Sequence, residues 1–216
     1  AASCVLVAFL IRRGLGSLGP RLFFGDTPWL AAVTGAKPVF DGIWPAMAGT
    51  FYLVFLSSLM AIPVGLASGV FLAEYASPRL RSVLGFSVDV LAGAPSIVMG
   101  LFGFAMILFL RRSFLPEARP CLFLAALCIA LLVLPYVIRT TQTALEAIPE
   151  NFRMLGPSLG LTRWQAVRHL LLPLASRGVL SGAILAIGRA AEDTAVILLT
   201  GVVARSGLPA SMWDKF

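Results

Sequence analysis

A chain of 216 residues that is 59% hydrophobic and only 12% charged, with a mean hydropathy of +0.93, falls outside the ordinary soluble range and reads as a membrane protein. Its formal charge of +7 comes from 17 Lys and Arg scattered among apolar runs, with no basic tract or aromatic-interleaved patch, which argues against a nucleic-acid partner. Cys4, Cys121 and Cys128 lack the paired spacing of a zinc site or a disulfide framework and are expected to be buried packing residues.

In chain order, the apolar run 1–11 would reach only about half way across a hydrocarbon core of about 30 Å. No basic segment precedes it and no small-residue cleavage site follows before Arg12 and Arg13, so it reads as the tail of a longer span rather than a signal peptide. The Gly-, Pro- and aromatic-rich stretch 12–45 is expected to be an extramembrane loop with a short interfacial helix near Trp44.

Four later segments meet the need for about 20 mostly apolar residues per helical crossing. The first, 47–72, is ended by "EYASPRLRS" at 74–82. The second, 83–110, is too long for one straight crossing at about 1.5 Å per residue. It should kink or break near Gly93, Pro95, Gly100 or Gly103. A break at Pro95 would leave Ser96 at the start of a half-helix whose free N–H groups attract an anion. A kink with glycines allowing close packing is the plainer alternative. A polar turn at 111–120 leads to the third span, 121–138, and the fourth runs over 178–200 before a polar end at 201–216. Lys and Arg do not orient these spans. Alternate sides carry nine (Arg12, Arg13, Arg21, Lys37, Arg111, Arg112, Arg119, Arg205, Lys215) and seven (Arg79, Arg81, Arg139, Arg153, Arg163, Arg168, Arg177).

The remaining basic residue, Arg189, lies inside the fourth span with Glu192 and Asp193. Each charge near a bilayer centre costs about 2.5 to 3.5 kcal/mol, against about 0.3 to 0.6 gained per Leu, Ile or Val. The nine such apolar residues between Val179 and Leu199 do not offset three charges, so this side of the helix should not face lipid. In a continuous helix both acids stand three and four residues after Arg189 and can fold back onto its guanidinium. A locking ion pair is one reading; intramembrane ionisable groups more often line a pathway.

Between the third and fourth spans, "EAIPENFRMLGPSLGLTRWQAVRHLLLP" (146–173) has the form of a helix, a glycine and a second helix. Pro149 and Glu150 suit a first turn, and Gly160 can adopt the left-handed conformation that ends a helix. Thr162 and Gln165 form a capping box for the next, with Trp164, Val167, Leu171 and Leu172 as an apolar stripe. Pro157 after Gly156 is expected to interrupt the first helix, and Pro173 to end the second before the span begins. The unit is either an interfacial connector or a docking element for a soluble partner.

The spacing from Gly160 through Leu170 to Leu172-Pro173 resembles the second half of the EAA signature of ABC importer permeases. With it stand "DGIWPAMAGTFYLV" (41–54), "FLAEYAS" (71–77), "LAGAPSIVMGLFG" (91–103), "TTQTALEAIP" (140–149) and "GRAAEDTA" (188–195). In that order they resemble the PstA-type permeases of bacterial phosphate importers. Two departures stand out. Met154, Leu155 and Gly156 occupy the Glu-Ala-Ala triplet, and Glu192 and Asp193 replace the Gly-Glu of the family's last motif, where Arg189 and Thr194 match.

The resemblance implies an all-α, polytopic membrane helix bundle of the type I ABC importer permease class. About five spans would be present, the first incomplete and the final one missing. It divides the chain into an incomplete span with an extracytoplasmic loop (1–46), a permease core (47–200) with a cytoplasmic coupling loop (139–177), and an extracytoplasmic end (201–216). It implies transport of phosphate across the bacterial inner membrane, a PstC-type permease partner, a PstB-type ATPase dimer that binds ATP and Mg, and a PstS-type phosphate-binding protein. It places Arg189, Glu192, Asp193, Thr194 and Ser96 on the translocation pathway, and Gly160, Leu161, Thr162, Arg163 and Trp164 in ATPase coupling. No cofactor or metal is expected in the chain, and "GAPSIVMGLFG" lacks the lysine of a P-loop. Three other readings compete. Permeation of sulfate or molybdate is the nearest. An intramembrane enzyme built on Glu192, Asp193 and His169 would need groups from a surface helix and from mid-span to meet, without an HExxH pattern. A passive channel would need no docking segment.

Overall fold

The computed structural model of the chain describes residues 2–15, 19–34, 39, 42–113 and 121–200, so segments 114–120 and 201–216 lie outside the described residues. All regular structure among the described residues is helical. Helix α1 (Ala2–Gly14) is about 20 Å long at 1.5 Å per residue, and its side chains from Ser3 onward are exposed. Cys4 is exposed with them, against the expectation of burial, because α1 lies outside the bundle; Cys121 and Cys128 are buried as expected.

Two short helices follow, α2 (Pro20–Phe24) and α3 (Trp29–Val33). Trp44 belongs to no separate interfacial helix. It opens α4 (Trp44–Val70), its ring tilted against Phe24 and its indole Nε1 donating to Ala32 O at 3.2 Å. Helix α4 runs on through a π-helical turn, Phe71–Tyr75. Ser77 then caps α5 (Pro78–Ala92) by accepting from the Leu80 N–H, and Pro78 occupies the first turn, where its missing N–H has no helical partner to lose. The long apolar segment does break at 93–95, giving α5 and α6 (Ser96–Ser113).

Helix α7 (Leu122–Glu146) continues past the expected end at Ile138 to Glu146. After α8 (Glu150–Ser158) comes α9 (Arg163–Ala166), a π-helical turn (Val167–Leu171), α10 (Leu172–Glu192) and α11 (Ala195–Thr200). Among the described residues, four helices are long and apolar enough to cross a membrane: Trp44–Tyr75, Ser96–Ser113, Leu122–Glu146 and Arg163–Glu192. In α7 61% of the apolar window is buried, against 33% or less in the others, so α7 is the hub of the bundle.

Small residues set how closely the neighbours approach α7. Gly65 and Gly69 of α4 face Val137 and Thr141, and Gly178 and Gly182 of α10 face Ala144 and Thr140. Each pair has the four-residue spacing that aligns glycines on one helix face. Lipid tails are as apolar as leucine, so helices in a bilayer associate through such close packing rather than by escaping water. Leu53, Ile129, Val133, Val137, Ala186 and Val196 fill the core that results.

Candidate functional site

Two places expected from the sequence to carry function lie at opposite ends of one helix. At the surface end, Leu159, Gly160 and Pro157 close α8: the Gly160 N–H donates to Pro157 O at 3.0 Å and the Leu161 N–H to Gly156 O at 3.0 Å. Gly160 takes φ +69°, the left-handed conformation foreseen for it. Thr162 and Gln165 form the capping box in both directions, with the Thr162 N–H donating to Gln165 Oε1 at 2.9 Å and the Gln165 N–H to Thr162 Oγ1 at 3.4 Å. Arg163 and Trp164, the first residues of α9, are exposed.

Both expected proline breaks are absent. Pro157 sits one residue from the end of α8, so the bond it denies to the Arg153 carbonyl falls in the last turn, and α8 runs unbroken from Glu150 to Ser158. Gly156 is buried because α8 folds closely onto α9; a Cβ on it would lie 2.9 Å from that of Ala166. Pro173 falls just after the π-helical turn Val167–Leu171, whose wider winding relieves the clash with the preceding turn. Surface helix and span are therefore one rod, Arg163–Glu192, about 45 Å long at 1.5 Å per residue.

The missing acidic triplet has a structural counterpart. Met154 and Leu155 are exposed, as are Phe152, Leu159 and Trp164, so apolar side chains stand at the surface of the elbow. Behind α8 is a cavity of about 770 Å³, lined among others by Glu74, Arg81, Glu146, Arg153, Met154 and Pro157. His169 is exposed on the rod with its Nδ1 3.1 Å from Gln165 O, a solvated surface histidine far along the chain from the acids of the span.

At the other end the span does not continue to Thr200. Helix α10 stops at Glu192, Asp193 is extended (φ −79°, ψ 111°), and α11 starts at Ala195. This break decides the fate of the two acids. Glu192 Oε2 pairs with Arg189 Nη1 at 3.6 Å, as the three-residue spacing predicts. Asp193 makes no ion pair with Arg189. It is buried, and its Oδ1 accepts the Val196 N–H at 3.0 Å, capping α11. Arg189 Nε is buried without a hydrogen-bond partner while the side chain as a whole is about a third exposed, so the guanidinium retains unused donor capacity.

The break lies beside the other half-helix. A Cβ on Gly100 would come 3.1 Å from Ala195 O and 3.2 Å from Val196 Cα, and Gly103 approaches Thr200, so α6 and α11 run side by side in the same direction. Ser96, the first residue of α6, stands about one turn before that contact, and the exposed Thr194 directly precedes α11, so both lie at the starts of the paired helices. The structure thus places Gly160 to Trp164 at the elbow, Arg189 to Thr194 at the break, and Ser96 at the start of the neighbouring α6.

Sequence reasoning missed a polar ladder along α7. Arg139 Nε donates to Asp89 Oδ1 at 2.8 Å and Nη2 to Gly85 O at 2.7 Å on α5, while Nη1 donates to Gln142 Oε1 at 2.9 Å. Gln142 Nε2 donates to Glu146 Oε1 at 2.9 Å, and Arg81 Nη1 stands 3.4 Å from the same carboxylate. The spacing of 139, 142 and 146 on one helix face was the available signal; the partners on α5 had none.

Comparison with known proteins agrees with this architecture. The chain is 32% identical over 200 residues to the phosphate transport system permease protein PstA of Haemophilus influenzae, covering 92% of this chain and 66% of that protein. It is 34% identical over 173 residues to PstA 1 of Mycobacterium tuberculosis, covering 79% of this chain and 55% of that protein. The chain therefore spans less than two thirds of the length of these relatives. A solved structure of the MetNI methionine ABC transporter in an inward-facing conformation shares the fold, with a TM-score of 0.59 at 23% identity over 69% of this chain and 71% of that one. Residues 61–212, which take in the rod, the break and the hub helix, match the family model, and the chain belongs to the family of binding-protein-dependent transport system inner membrane components.

Proposed function

We propose that this chain is a membrane-spanning permease subunit of an ATP-driven importer of inorganic phosphate, located in the bacterial inner membrane. The observation that carries the reading is the single rod Arg163–Glu192, which joins an exposed docking elbow directly to a charged break in the bundle. A rigid helix about 45 Å long transmits a push at one end to the other with little loss. A passive channel has no use for that connection.

The names of the relatives support phosphate, and the chemistry of the break suits an oxyanion. Arg189 offers a planar fork of donors suited to an oxyanion, with Glu192 as a competing partner that can hold it when no anion is present. Asp193 serves the site through geometry, by fixing the start of α11. Ser96 and Thr194 supply neutral hydroxyls at the paired helix starts. ATP and Mg are held by a separate ATPase dimer of the PstB type, which docks on exposed apolar side chains of α8 and on Gly160, Leu161, Thr162, Arg163 and Trp164. A PstC-type permease completes the pathway, and a PstS-type binding protein delivers the anion.

The test is ATP-dependent uptake of radiolabelled phosphate by vesicles holding the assembled complex, with sulfate and molybdate as competitors, beside Arg189→Gln. Native uptake that competitors leave unchanged and that falls at least about tenfold in the variant is expected, a loss of about 1.4 kcal/mol or more. Normal transport by an assembled Arg189→Gln complex would refute the role of Arg189. Uptake abolished by sulfate or molybdate would replace phosphate with that oxyanion.

A further inference from the structure

The inner end of α4 is gripped from two sides. In its π-helical turn the Ala73 carbonyl accepts from Arg81 Nη2 of α5 at 2.6 Å. The next residue, Glu74, accepts from Arg153 Nη1 of α8 at 2.8 Å. The remaining donors of Arg153 reach the end of α7, with Nη2 2.6 Å from Leu145 O and Nε 3.4 Å from Ile148 O. One guanidinium thus satisfies a carboxylate, a carbonyl in the last turn of α7 and a carbonyl in the turn that follows it. The side chains are 14% (Glu74) and 23% (Arg153) exposed, an environment in which removing either partner strands a charge.

Among the described residues, every hydrogen bond and ion pair that joins α8 to α4 or α7 runs through Arg153. Apolar packing does not duplicate the link. Helix α8 packs on α9 and the π-helical turn after it, while the cavity of about 770 Å³ lies between Met154 and Pro157 on one wall and Glu74, Arg81 and Glu146 on another. Among the described residues this pair is the one direct polar tie from α8 to α4; the indirect routes run through the turn 147–149 into α7 and through the rod, whose Val167 and Leu171 pack with Val70 and Ala73.

We propose that the Glu74–Arg153 ion pair is a strut that carries movement of the docking helix α8 to the inner end of α4, giving the transporter a second line of coupling beside the rod Arg163–Glu192. The proposal rests on the importer reading above. Arg153 and Glu74 are positioning residues: neither touches the transported anion. π-Helical turns concentrate at functional places in helices, and the one in α4 puts Ala73 and Glu74 where adjacent residues meet two different helices.

Two readouts test it with Glu74→Gln, which is nearly isosteric, and with Glu74→Asp, which keeps the charge. In vesicles holding the whole complex, Glu74→Gln should keep its ATPase subunit and its ATP hydrolysis rate but move at least about fivefold fewer anions per ATP, while Glu74→Asp stays within about twofold of native. Spin labels at Phe71 and Ser158, in protein with Cys4, Cys121 and Cys128 replaced by alanine, report the α4 to α8 distance. Native protein should give one narrow distribution with and without nucleotide, and Glu74→Gln a broad one, also in the permease without its ATPase. A Glu74→Gln protein with the native anion-to-ATP ratio, or with a distribution as narrow as native, overturns the strut. A native complex that moves no phosphate overturns the substrate reading instead, and the distance measurement then still decides the strut.

Discussion

Gly160→Ala isolates backbone strain at the elbow. Gly160 holds φ +69°, and a Cβ built on it meets nothing within 4 Å, so the substitution adds no steric clash with a neighbour. Holding alanine in the left-handed region costs about 1–2 kcal/mol. The stiffer unfolded chain returns about 0.4–1 kcal/mol. A net local loss of about 1 kcal/mol remains, a factor of about five in the balance between closed and open elbow. Hydrogen exchange of the detergent-solubilised protein reads this at the amides of positions 160 and 161, which donate to Pro157 O and Gly156 O. Their protection should fall about fivefold while amides in α7 keep theirs, and Gly160→Asn should lie between, because asparagine visits the left-handed region more readily. Unchanged protection in Gly160→Ala, or equal losses in the alanine and asparagine proteins, would refute the argument.

The same reasoning extends to two other positions. Gly182→Ala would set a Cβ 2.6 Å from that of Thr140. Either α10 moves away from α7 or Thr140 rotates and gives up its hydrogen bond to Tyr136 O at 2.8 Å. An overpacking cost of about 1–3 kcal/mol is expected, and a thermal midpoint in detergent equal to native would show that the helices do not need this approach. Asp193→Ala removes the cap of α11 and should speed exchange of the Val196 amide by roughly fivefold, for about 1 kcal/mol. Asp193→Asn retains an acceptor oxygen and should stay near native; an asparagine protein as impaired in uptake and exchange as alanine would mean that the charge, not the cap, is what matters.

What could be read in the sequence was local. Composition alone demands a membrane bundle, since so apolar a chain has too little polar surface to meet water. Gly160, the Thr162 and Gln165 capping box and the break at 93–95 were legible because each depends on residues within one turn of chain. The glycine pairs 65 with 69 and 178 with 182 were also present as spacing, although only the fold shows that both face α7.

Proline gave the wrong stops at 157 and 173 because its cost depends on context: at 157 the helix ends within one residue and has only its last turn to distort, and at 173 a π-helical turn just before it widens the winding. Arg189, Glu192 and Asp193 stand out in the sequence as a costly cluster in an apolar run, yet periodicity treats the segment as continuous and so joined Asp193 to Arg189. Packing of α11 against α6 and α7 turns the chain there and makes Asp193 a cap. The Glu74–Arg153 pair joins residues 79 positions apart. Sequence by itself determined the membrane class, the family motifs and the local turns, because hydropathy and backbone preference act over a few residues. Only the tertiary structure decided which charges meet and which helices form one rod, because those outcomes depend on the packing of several helices around α7.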